Sequence, residues 1–450
     1  MSRQRNRRPD PAEPQIERAL HPGRFIAYAG VSSFVEGLEE VQAEIAKRVE
    51  GEPARAASLY ETFLAGCYEK AEEIDDSNGS FSQFVEGLFL SWIKARQASG
   101  EDPDETALRL LAWMDDDPYC FCYRIEKDVA KTLDKESRAA FERRVRARFD
   151  AATETAASAD ESSRQDSEYA RRRWGEVLRA LHIVQRNVKA YVALAEETGV
   201  TATDCHAVAT LLAGRRKPEE ALAWVDRGIE FGEKAPYAAA GYELAQLKRA
   251  LLSKLGRGDE ALEAAWAEYS KHPNRFSYEE LMKFVPKPDR AAWHERALKA
   301  AMDGNLASAI ELLLVTKELE LLVERLREAS DAALEDLSHF ATEPAAEKLE
   351  KSHPEVAARL WGAQGMRILN AGKSKYYDAA LENFESAQRC FEKAGLTAEW
   401  ERTVARVRGQ HHRKTGFMPG FEELVRGSGP SSWPSFLERA KARWGGQRSG

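Results

Sequence analysis

Four times in the C-terminal half of this 450-residue chain, a breaker gives way to a small residue set beside a large apolar one. The segments are Pro218-Glu219-Glu220-Ala221-Leu222, Asp259-Glu260-Ala261-Leu262, Leu306-Ala307-Ser308-Ala309-Ile310 and Asp378-Ala379-Ala380-Leu381. Each opens an amphipathic helix. The alanine lets a neighbouring helix approach closely, and the Leu or Ile beside it fills the groove that results. One such helix pair cannot bury both faces, so it must stack on its neighbours. Leu222 to Leu262 is 40 positions and Leu262 to Ile310 is 48, steps that suit two helices with their loops. The unequal steps describe a divergent array. The expected fold is therefore all-α: a solenoid of antiparallel helix pairs, tetratricopeptide-like, with no sheet.

The rest of the chain has the same periodicity. Phe34, Leu38, Val41, Ile45 and Val49 recur at spacings of three and four, as do Ala56, Tyr60, Phe63 and Cys67 beyond the break Gly51-Glu52-Pro53. Phe81 to Trp92, Leu110 to Met114, Ile125 to Leu133 and Phe141 to Phe149 extend it, and no run alternates with the period of a strand. Residues 1–14 read as a disordered basic arm, with Pro9, Pro11 and Pro14 opposing a helix. An N-terminal helical lobe spans 15–150. Residues 151–168, rich in Ala, Ser, Thr and acids without large apolar side chains, read as a polar linker. One long helix from Trp174 to Ala195, ended by Gly199, leads into the array at 169–426. Asp204 is the expected N-cap of the following helix. A flexible break and a short helix around Phe436–Lys441, flanked by Trp433 and Trp444, fill 427–450.

A net charge of -8 argues against a nucleic-acid coat protein but leaves room for a local basic patch. Five dispersed cysteines do not make a disulfide framework, and a reducing compartment suits them. The basic N-terminus is followed by no apolar stretch, so no secretory signal is expected. Nowhere do 18 apolar residues run together. Cytoplasmic is the expected location.

The C-terminal stretch runs through His353-Pro354-Glu355-Val356-Ala357, Tyr376-Tyr377-Asp378-Ala379-Ala380-Leu381-Glu382, Glu399-Trp400 and His411-His412-Arg413-Lys414. It resembles the helical tail of bacterial SWIM zinc-finger proteins and a bacterial family of stand-alone helical proteins with no assigned function. Asp76-Ser77-Asn78-Gly79-Ser80-Phe81 fits the same resemblance. A SWIM finger needs C-x-C followed by C-x-H to close a tetrahedral zinc site. Here only Cys120-Phe121-Cys122 is present, so the finger itself is absent.

Other constellations also fall short. Gly372-Lys373-Ser374 lacks the first glycine of a P-loop, since Arg367 stands there. His294-Glu295 lacks a second histidine, because Leu298 occupies its place. Asp75 to Ser80 and Asp115-Asp116-Asp117 read as turns rather than cation loops. No nucleophile lies where the sequence can place a base beside it. The expectation is a non-enzymatic chain with no catalytic residue, cofactor or metal, binding a protein or peptide partner in a helical groove. One stretch departs from this neutral chemistry. Arg402, Arg406, Arg408, His411, His412, Arg413 and Lys414 lie in a run without a single acid from Arg402 to Phe421. They are the candidate anion- or partner-binding residues, and the alternative function is binding of nucleic-acid phosphate through them.

Overall fold

The structure is a computed structural model that describes residues 12–158, 161–233 and 240–427. The described residues form twenty-three α-helices and four short 3-10 turns. In place of a sheet there is one isolated parallel bridge between Ile26 and Ile74. The fold is all-α, and successive helices pack as stacked pairs. Helix Pro354–Ala371, for example, lies against both His339–Leu349 and Tyr377–Lys393. None of the described helices is long and apolar enough to cross a membrane.

The four repeated segments begin helices where expected, at Pro218–Glu233, Gly258–Lys271, Leu306–Thr316 and Tyr377–Lys393. Pro218 sits in a first turn, where its missing N–H has no partner to lose. Ala221, Ala261, Ala309 and Ala380 are all buried. Helices approach closely at several glycines: a Cβ on Gly66 would lie 2.5 Å from Leu20 Cδ1. A Cβ on Gly228 would lie 2.8 Å from the Cys205 Cβ, and one on Gly365 would lie 2.7 Å from the Phe384 ring.

The chain divides into two compact units, Met1–Leu251 and Leu252–Gly450, and the division falls within helix Gly241–Lys254. The polar stretch at 151–168 is therefore not a boundary. It is occupied by helices Lys135–Ser158 and Glu161–Val184, with 159–160 outside the described residues. Alanine and glutamate are strong helix formers, so a segment without large apolar groups becomes the exposed end of a helix pair. The pair is anchored further along, where Phe149 meets the backbone at Gly175.

Three smaller expectations are corrected. Pro14 does not oppose a helix; it lies in the first turn of Glu13–Leu20, while residues 1–11 lie outside the described set. The long helix from Trp174 is two helices, Glu161–Val184 and Val188–Thr198. They are separated by Arg186 at φ 53° and by Asn187, which caps the second. Asp204 is not the N-cap of Ala202–Gly214. That role belongs to Thr201, with Asp204 completing a capping box from the third position. Asp204 is buried and also accepts hydrogen bonds from Arg179 Nε at 2.7 Å and Tyr191 Oη at 3.0 Å. The final break and helix at 428–450 lie outside the described residues, as do Trp433 and Trp444.

The N-terminal unit is built on Tyr60, Phe63, Phe89, Trp92 and Phe141. Among them Arg96, 3% exposed, lies over the Trp92 ring and donates from Nε to the Thr106 hydroxyl at 2.9 Å. In the C-terminal unit Tyr269, Leu281, Phe384 and Phe417 are central, and the Tyr269 hydroxyl donates to the Ala297 carbonyl at 2.7 Å.

Candidate functional site

Helix Pro354–Ala371 has one face of small residues and Met366, with the charged Glu355 and Arg359 at its start. Glu355, Ala358, Arg359, Gly362, Ala363 and Met366 follow the spacings of a single helical stripe. On the opposite flank, Glu399, Arg402, Thr403 and Arg406 form a stripe of helix Thr397–His411. Between them, with Phe391 and Leu396 in its lining, lies a groove of about 400 Å³ in the C-terminal unit. Nothing stands within 4 Å of the place where a Gly362 Cβ would be. The small residues thus leave the groove open, whereas Gly365 on the packed face of the same helix admits the Phe384 ring.

The groove walls carry four arginines, and each has a carboxylate partner. Arg327 pairs with Glu355. Arg359 Nη2 lies 2.8 Å from Asp331 Oδ1 and also donates to the Ala329 carbonyl at 2.7 Å, close to the end of helix Leu319–Glu328. Arg402 pairs with Glu399. Arg406 grips Glu335 with two nitrogens, one at 3.1 Å, and Asn370 donates to the same carboxylate at 3.3 Å. Burial alone would raise the Glu355 carboxyl, but the Arg327 guanidinium and a backbone donor hold it below the usual range. The result is an open floor of small and apolar groups with alternating charges along its rim.

The seven residues picked from the sequence are therefore separated by the fold. Arg402 and Arg406 line the groove, each beside an acid. Arg408 turns away and makes a two-pronged contact with Glu422 at 2.9 and 2.7 Å. His411 is buried, with its Nε2 unpartnered, and burial followed by Lys414 and Arg406 lowers its pKa. Lys414 lies 5.9 Å from the Tyr377 ring centroid, while His412 and Arg413 are exposed. The run without acids is not a continuous positive face, because Glu335, Glu399 and Glu422 reach it from outside. Arg327, Asp331, Glu335, Glu355 and Arg359 were missed by sequence reasoning. The signal available was the run of small residues Ala358, Gly362 and Ala363 on the same helical stripe as Glu355 and Arg359.

The other stretches weighed for chemistry have local roles. The Asp76 carboxylate accepts from the backbone of Phe81 and Ser82 at 2.8 and 2.9 Å, at the start of helix Ser80–Ala98. Cys122 is buried, which pushes its thiol up to about 12, while Cys120 is exposed. His294 bridges the Tyr278 hydroxyl at 2.7 Å and Glu318 at 3.2 Å. Burial, then Glu318, pushes the Tyr278 phenol up, which is opposite to what a nucleophile needs. Among the described residues, no three His, Cys, Asp or Glu side chains gather where they could hold a metal.

One family model matches the chain over residues 16–419, a family of unknown function designated DUF6880. No curated protein matches it. A solved structure of a circular tandem repeat protein with novel repeat topology and enhanced subunit contact surfaces is similar at 13% identity, covering 92% of this chain and 97% of that one. The TM-score is 0.19, too low for the likeness to carry anything over.

Proposed function

The chain belongs to the DUF6880 family of unknown function, and we propose that it is a non-enzymatic protein-interaction scaffold that holds a segment of a partner protein in the groove along Pro354–Ala371. The observation that carries this reading is the open floor at Gly362, flanked by the charged residues of the two helical stripes. An extended peptide needs partners for its own backbone, which polar side chains such as Thr403 and Arg359 can supply, and room for small side chains, which the floor provides. The alternating rim suits a segment of mixed charge, because every arginine on it is already balanced by an acid. A cytoplasmic site of action goes with this reading.

Phosphate binding by the run from Arg402 to Lys414 is less well supported, since Arg402, Arg406 and Arg408 already face carboxylates. The test is a pull-down with the full chain and with Gly362→Trp, which fills the groove where a Cβ meets nothing. Peptides spanning each captured protein are then titrated against both forms. The expected result is a peptide bound by the native chain and lost, by about tenfold or more, in Gly362→Trp at unchanged melting temperature. Equal binding by both forms would remove the groove from the proposal.

A further inference from the structure

The N-terminal unit holds a second cleft, of about 500 Å³, whose chemistry differs from that of the groove. This size lies within the ~300–1,000 Å³ usual for small-molecule sites. Its wall is formed by the loop before helix Glu126–Thr132 and by helix Glu161–Val184. In the loop, Phe121, Cys122 and Ile125 are buried, and the Phe121 ring packs edge-on against Tyr68 and Phe81. The Asp117 carboxylate pins the turn, accepting from Phe121 N at 3.0 Å, Cys122 N at 2.7 Å and the Tyr68 hydroxyl at 2.9 Å. With those groups fixed inward, Cys120 and Arg124 are left at φ 59° and 66°, in the left-handed region that non-glycine residues seldom adopt. That backbone path presents Tyr123 and Arg124 to solvent.

Two arginine–tyrosine pairs result. Arg124 lies 5.1 Å from the Tyr123 ring centroid and Arg172 lies 5.8 Å from that of Tyr169. Tyr123 and Tyr169 are 61% and 58% exposed, and all four side chains line the one cleft. In contrast to the groove, neither arginine has an ion-pair partner among the described residues. Asp117 is taken up by the turn, Glu176 lies 3.8 Å from Arg179, and Glu126, whose carboxyl is raised by burial against the lowering charges of Arg124 and Arg173, makes no ion pair with either arginine among the described residues.

We propose that this cleft binds a nucleotide, its phosphates held by Arg124 and Arg172 and its base stacked against Tyr123 or Tyr169. Exposed aromatic faces beside guanidinium groups that are not closed into ion pairs are the combination that holds a base and a phosphate together. Glu126 and Glu176 on the same wall can accept hydrogen bonds from ribose hydroxyls, a role that a site for bare phosphate would not need.

The experiment is isothermal titration of the full chain with ATP, GTP and AMP, beside adenosine alone and inorganic phosphate alone. The expected result is saturable binding of at least one nucleotide, with adenosine and phosphate each about tenfold weaker or worse. Arg124→Ala with Arg172→Ala should weaken nucleotide binding about tenfold, and Tyr123→Ala with Tyr169→Ala similarly, the scale of one lost stacking contact. Because these side chains are exposed, unchanged circular dichroism melts are expected for both double variants. Arg290→Ala, exposed in the other unit and lining neither this cleft nor the groove, should leave binding as it was. No saturable nucleotide binding at millimolar concentration would overturn the proposal. So would affinity for phosphate alone equal to that for nucleotide, or full retention of binding in both double variants. The peptide titrations against the groove are read separately, so either proposal can fail alone.

Discussion

At the residue scale, the decisive contact is Arg406 with Glu335, whose positions are 71 apart in the chain. Glu335 is 7% exposed, so its charge depends on Arg406 and Asn370 for compensation. Removing one partner of a buried pair leaves an uncompensated charge, at about 3–5 kcal/mol, whereas replacing both with apolar groups is often neutral. Arg406 is itself partly open to solvent, which favours the lower end of that range. Arg406→Ala is therefore expected to destabilise the C-terminal unit by about 3 kcal/mol in urea unfolding, and Arg406→Leu with Glu335→Leu to recover most of it. An Arg406→Ala chain as stable as the native one would mean that the pair is only a surface contact. No sequence pattern reveals this partnership. The spacing of Arg402 and Arg406 does predict that they share a helix face, and both do line the groove.

At the scale of elements, starts and stops of helices were the most legible feature. They rest on groups within four residues of one another, such as Pro218 in a first turn and Gly199 as a stop, although the Asn187 cap escaped the sequence reading and one expected helix is two. The reading of 151–168 as a linker went wrong because apolar content reports burial, while helix formation depends on backbone propensity. Ala151 separates the two accounts. It is exposed and lies well inside helix Lys135–Ser158. Proline there removes an interior hydrogen bond and clashes with the preceding turn, costing roughly 3 kcal/mol, whereas a linker would absorb it. Ala151→Pro should accordingly lower the melting temperature by several degrees. An unchanged melt would restore the linker.

At the scale of the whole molecule, two compact units with separate cores predict that unfolding is not all-or-none. Denaturation followed by circular dichroism should show two transitions, and Phe141→Ala, a cavity in the N-terminal core, should move only one of them. A single transition shifted as a whole would argue for one cooperative body. The sequence by itself determined the all-α class, the helix-pair stacking and most helix starts, because amphipathic period, caps and breakers act over a few residues. Only the tertiary structure decided where the units divide and which arginines keep a free charge. It brought Glu335 and Glu422 to a run that contains no acid, and it left Arg124 and Arg172 without a carboxylate partner among the described residues. Electrostatic neutralisation depends on distance in space, and folding sets that distance through packing that no local pattern records.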